Sequence, residues 1–192
     1  MKRTSIVIIT VVLACFMLSG CAGNKDLIAK ATVSSRQDIF QEINSSQTTP
    51  TTGQLNIEFQ VKSFRSRFVN SYTKDTDPPY TTVINIDGQA TTLTDEGVME
   101  ELAGKAENNP EVGTGWRYTF KKTLSLKTGK HRISVAVPTA DVIVEKEIEV
   151  QGGENSLKLL PIYRMPITKR PGYPIFSSGI SGLKIVLNNH EL

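Results

Sequence analysis

Cysteine is nearly absent. The 192 residues hold two, Cys15 and Cys21, both near the amino end, so the chain from Ala22 onward has no thiol. That excludes a disulfide framework in the body, a cysteine-ligated metal and a cysteine nucleophile. Histidine is equally scarce: His131 and His190 are the whole supply, and their spacing carries no metal-ligand pattern. No Gly-x-Ser-x-Gly elbow accompanies His131, so a Ser-His-Asp triad has no footing. A Walker loop is also missing, and no Gly-x-Gly-x-x-Gly follows a strand. Charge of one sign is missing too. The 22 basic and 19 acidic residues leave +3, too little for a nucleic-acid binder that relies on phosphate contacts. A single tryptophan, Trp116, offers little of the sugar platform that a paired-carboxylate glycosidase needs. Asp75 with Asp77, and Asp95 with Glu96, Glu100 and Glu101, gather carboxylates. No twelve-residue calcium loop surrounds them, and they read as solvated charge. The expectation is therefore a non-catalytic chain with no metal and no cofactor.

What is present starts at the amino end. Lys2 and Arg3 precede an uncharged run from Ser5 to Met17, rich in Ile, Val, Leu, Ala and Phe. Its thirteen residues fall short of the roughly 20 that a membrane-spanning helix needs, but they suit the hydrophobic part of a secretory signal. Leu18-Ser19-Gly20-Cys21 follows and closely resembles the lipobox of bacterial lipoproteins. The resemblance implies that residues 1–20 are removed and that Cys21 carries lipid. A thiol accepts the diacylglyceryl group, and cleavage frees an amino group for further acylation. Removal takes Lys2 and Arg3 and no acidic residue, so the mature body is close to neutral and gains little from electrostatic adsorption. Attachment would come from acyl chains, at about 0.8 kcal/mol per buried CH₂. Ala22 in place of an aspartate implies, by the same resemblance, the periplasmic face of a Gram-negative outer membrane. In a Gram-positive source it would be the outer face of the cytoplasmic membrane.

Residues 21–53 read as a lipid-anchored tether. One short helix is expected where Ser35 caps a turn through Asp38 and Ile39, Phe40 and Ile43 form an apolar stripe. Residues 54–192 read as the folded domain. Leu55, Ile57, Phe59 and Val61 alternate with polar residues as a half-buried strand, with a phase slip near Ser63-Phe64. Thr81 to Asp87 is β-branched and apolar, and Asp87-Gly88 supplies a hairpin turn. Thr94 to Ala106, with Val98, Met99 and Leu102 on one side, reads as a small helical insertion that Gly97 and Gly104 weaken. Trp116 to Leu160 has the clearest pattern: four strands about ten residues apart, broken at Thr128-Gly129, Pro138 to Asp141 and Gly152-Gly153. That spacing predicts one antiparallel sheet. With two earlier strands it predicts an all-β antiparallel sandwich of immunoglobulin-like or transthyretin-like form, because a sheet with one apolar face needs a second layer. A proline-rich arm over residues 161–178 would cross the body, and a final strand over 182–188 would rejoin it.

The succession Val83-Ile84-Asn85-Ile86-Asp87-Gly88, then Leu124-Ser125-Leu126-Lys127-Thr128-Gly129-Lys130-His131, then Ile148-Glu149-Val150 and Gly153 to Leu159 resembles a PEGA-type repeat. The match spans roughly Thr81 to Leu160. It implies a small sandwich near the transthyretin fold, in an envelope protein without catalytic activity. Two basic-aromatic segments supply a candidate binding surface: Lys62 to Phe68, with Arg65 and Arg67 near Phe64 and Phe68, and Lys169, Arg170, Tyr173 and Phe176 in the arm. Interleaved cations and rings can stack on glycans or hold partner carboxylates. Trp116 joins them as a candidate, with the core as its competing place. The expected function is a lipid-anchored binding or scaffolding module that meets an envelope protein or a glycan and no nucleic acid. The alternatives are a subunit lending an edge strand to an envelope complex and a carbohydrate-binding protein.

Overall fold

The alternation Leu55, Ile57, Phe59, Val61 becomes β2 (Thr52–Ser63), and all four side chains are buried. In the computed structural model, residues 24–43, 52–64, 80–167 and 172–192 are described. The expectations for Cys21, Arg65, Arg67, Asp75, Asp77, Lys169 and Arg170 lie outside them.

Two sheets face each other, as expected for an all-β sandwich. The larger pairs β1 (Phe40–Glu42), β6 (Gly113–Lys127), β2, β9 (Gly153–Tyr163), β10 (Ile180–Leu187) and β11 (His190–Glu191) in that order. Within it β5 (Val98–Leu102) joins the same β6 edge as β1. The smaller sheet runs β4 (Gln89–Asp95), β3 (Tyr80–Ile86), β7 (Gly129–Val137), β8 (Val142–Val150). Phe59, Phe120, Leu124, Leu157 and Leu159 from one layer meet Ile84, Ile86, Ile133, Val135 and Ile148 from the other in one core. Each such burial contributes about 1.5–3 kcal/mol.

Turn chemistry explains the connections. Asp87 and Gly88 both take positive φ, 48° and 93°, which is the two-residue turn that matches strand twist. Asn188 and Asn189, at 49° and 69°, repeat the device between β10 and β11. The four-strand run does not make one antiparallel sheet, however. The Thr128-Gly129 and Gly152-Gly153 breaks carry the chain between layers, so β6 and β9 lie in one sheet and β7 and β8 in the other. A turn motif signals reversal but does not say which layer receives the next strand. As a result β9 pairs in parallel with β2, from Gly53↔Gly153 to Phe59↔Leu159. Pairing stops two residues before Pro161, which sits inside β9 opposite Leu183. The arm therefore starts later than expected, and the missing proline N–H falls where β2 has separated.

Both helix expectations are corrected. Ser35 to Ile43 is not a helix. Phe40 pairs with Leu126 in β1, and the Gln89 side chain acts as a surrogate peptide for it. Its Oε1 accepts from the N–H groups of Ile39 and Phe40, and its Nε2 donates to Phe40 O at 2.9 Å. The helix comes earlier, as α1 (Asn24–Thr32), with Ile28 and Ala31 buried against Ala136 on the outer face of the smaller sheet. Much of the expected tether, residues 24–43, thus lies on the body. The small helical insertion is likewise β4 and β5. Gly97, at φ 75°, breaks the segment, and a Cβ there would come within 2.7 Å of Tyr118. Val98 and Met99 then pair with Arg117 and Trp116 of β6.

Candidate functional site

Strand directions divide the molecule into two ends. At one end β2 stops, β3 and β10 start, β9 stops, and the 3₁₀ turn Pro138–Ala140 joins β7 to β8. Irregular segments collect there. Between the layers at this end opens a cleft of about 550 Å³, lined by Ser63, Tyr80, Tyr118, Asp141 and Arg164 among others. Tyr80 and Tyr118 floor it with ring centroids 4.9 Å apart. Burial, and to a lesser degree the Tyr118 phenol, pushes the Tyr80 hydroxyl well above its ordinary pKa, so it stays a neutral donor. The rim is tied by two side chains. Arg164 Nη2 donates to Ala140 O at 3.2 Å, and Asn24 Nδ2 donates to Asp141 O at 3.0 Å.

Beside the cleft lies a polar cluster on what should be the solvent face of the larger sheet. Lys62 and Arg117 are register partners on β2 and β6. The side chain of Lys62 is fully buried. Its Nζ donates to Glu111 O at 2.9 Å and Gly113 O at 2.7 Å, and pairs with Glu100 Oε2 at 3.2 Å. The Phe176 ring covers it at 5.0 Å. Arg117 reaches Glu100 at 2.9 Å and Glu111 at 2.7 Å. Tyr163 Oη donates to Glu111 Oε1 at 2.6 Å and accepts from Lys62 N at 2.9 Å. Hydrogen bonding from Arg117 holds the Glu100 carboxyl below its usual range, against the opposing effect of burial and with help from Lys62. Burial, then the bond to Glu111, pushes the Tyr163 hydroxyl up. Burial of such a group requires satisfied donors, and Nζ has two carbonyls and a carboxylate oxygen. The cluster pins residues 103–112 and the arm root to the sheet.

Of the expected surface residues, Phe176 is corrected. It is 5% exposed, packed over Gly115 and Lys62, with its N–H donating to Pro110 O at 2.9 Å. A Cβ on Gly115 would fall 2.5 Å from that ring and 2.9 Å from Ser63 O, so only glycine lets Phe176 seat. Trp116 is half-buried against the core. Tyr173 remains half exposed. The described limbs of the arm do not cross the body. Arg164 N donates to Gly179 O and Ile175 N to Arg164 O, so the arm leaves and returns at one root between β9 and β10.

The opposite end holds His131. Its ring bridges Asp87 Oδ2 at 2.7 Å and Lys127 O at 2.9 Å, tying two turns together. A wider hollow of about 870 Å³ runs beneath α1, along Asn85, Arg132 and Glu145. The polar groups there are already engaged: Glu145 accepts from Arg132 and Ser134, and Asn85 donates to Ala31 O. Among the described residues, no group of three His, Cys, Asp or Glu is placed to hold a metal ion, and no helix is long and apolar enough to cross a membrane.

Sequence reading singled out Lys62, Glu100 and Phe176 separately, as surface groups, and missed that they meet in one buried cluster. The signal that could have found it was four acidic residues, Glu100, Glu101, Glu107 and Glu111, in the stretch before β6, whose strand partner β2 carries a lysine. Compared with known proteins, the chain matches no family model, no curated sequence and no solved structure.

Proposed function

We propose that the protein is a lipid-anchored envelope lipoprotein whose sandwich is a non-catalytic binding or scaffolding module at the periplasmic face of the outer membrane. The observation that carries this reading is Leu18-Ser19-Gly20-Cys21, placed three residues before a helix that is packed on the body. Acyl chains on Cys21 would confine the module to a surface. Three residues span at most about 10 Å, so the body is held close to the bilayer. Confinement of that kind raises effective concentration and lets weak contacts suffice. The cleft between Tyr80 and Arg164 supplies the recessed surface for a ligand or partner segment. Kinship with PEGA-type repeats belongs to the same proposal, supported by the Asp87-Gly88 hairpin and by Gly153 to Leu159 forming most of β9.

Palmitate labelling and fractionation test it. The wild-type chain is expected to take up label and partition with membranes, and Cys21→Ser is expected to lose both. An unmodified amino terminus at Met1, or a Cys21→Ser protein that fractionates unchanged, overturns the reading.

A further inference from the structure

The arm root and the first residue of α1 share one turn. Asn24 is held on Asp141 O and Arg164 on Ala140 O, adjacent carbonyls of the β7–β8 connection. Arg164 opens the arm. The next side chains along it are apolar and exposed: Met165 is 54% exposed, Ile167, the most exposed large hydrophobic among the described residues, 106%, and Tyr173 on the returning limb 50%. Exposing this much apolar surface is costly in water unless something covers it. None of the three packs on the core, and the hydrogen bonds of the root join the two limbs to each other. No Asp or Glu occurs between Glu154 and Glu191, so the arm and β10 carry only positive charge, which suits an anionic headgroup layer. Tyrosine is enriched at the boundary between headgroups and acyl chains, and Met165 and Ile167 supply apolar side chains for the same layer.

We infer that Met165, Ile167 and Tyr173 form a second membrane contact, resting in the interfacial layer of the same bilayer that holds the acyl chains of Cys21. This inference rests on the lipoprotein reading above, because Cys21 lies within three residues of Asn24 and so brings this end of the sandwich to the lipid. Two contacts fix what one leaves free. The acyl chains set the distance from the membrane and the arm sets the orientation, so the cleft end faces the bilayer and the Asp87-Gly88 end faces outward.

The test uses the full lipidated chain, in which Cys21 is consumed as a thioether and a single added cysteine takes an environment-sensitive fluorophore. Ile167→Cys and Tyr173→Cys are compared with Lys130→Cys at the opposite end, in vesicles of phosphatidylethanolamine and phosphatidylglycerol. Blue-shifted emission from positions 167 and 173, quenched by a headgroup-region spin-labelled lipid, with position 130 unshifted and unquenched, is the expected result. Protein that floats with the vesicles while position 167 reports water overturns the arm contact and leaves lipid anchoring standing. Blue-shifted emission that the spin-labelled lipid does not quench shows a protein surface covering the arm, a second copy included, and also overturns it. Protein that fails to float removes the anchor itself, and this inference with it.

Discussion

Lys62 holds the buried polar cluster together. Its ammonium serves two backbone carbonyls and Glu100 while a ring excludes water. Lys62→Met keeps much of the volume and removes the donors. Each carbonyl left unpaired costs about 1–3 kcal/mol, so the unfolding free energy from urea titration is expected to fall by that order, and an unchanged midpoint would contradict the geometry. Acid should act on the same cluster. Hydrogen bonds from Arg117 and from Lys122 hold the Glu100 and Glu42 carboxyls below their ordinary values. A carboxyl with a lowered folded pKa adds stability that is fully present above its unfolded value, about 4.3, and is lost as pH falls through the lowered one. Unfolding midpoints should therefore hold from neutrality to about pH 5 and drop below that. Glu100→Gln should make the drop shallower.

The elements show what single residues are for. The arm is seated by one close approach, Phe176 over Gly115, and Gly115→Ala closes that space. Overpacking of this kind costs about 1–3 kcal/mol. Exposed Phe176 should then appear as protease cleavage within the arm before global unfolding, and resistance equal to wild type would count against the contact. Element identity was largely legible in sequence where apolar residues alternate: β2, β3, β6, β7, β8 and β10 follow their period. It failed where a tertiary partner outweighed local preference. Ile39 and Phe40 have helical spacing but are drawn into pairing by Leu126 and the Gln89 amide. Val98 and Leu102 look like one side of a helix until β6 offers an edge. The candidate surface was legible only in part. Tyr173 is exposed as expected, whereas Phe176 is claimed by a lysine whose burial no local pattern announces.

The whole molecule depends on closure between distant segments. β2 is sandwiched between β6 and β9, so its apolar face and both edges are completed late in the sequence. A chain ending at Val150 would lack β9, β10 and β11 and leave β2 with one neighbour. It is expected to show no cooperative urea transition, and a sharp one would mean that β6 alone suffices. The parallel pairing of Gly53 with Gly153 also has a consequence in time. A ribosome adding about 5–20 residues per second needs roughly 5–20 s to deliver the second partner after the first. Throughout that interval Leu55, Ile57, Phe59 and Val61 form a sticky ribbon with an unsatisfied border. Whatever keeps such a chain soluble has to act until residues 153–159 can reach β2.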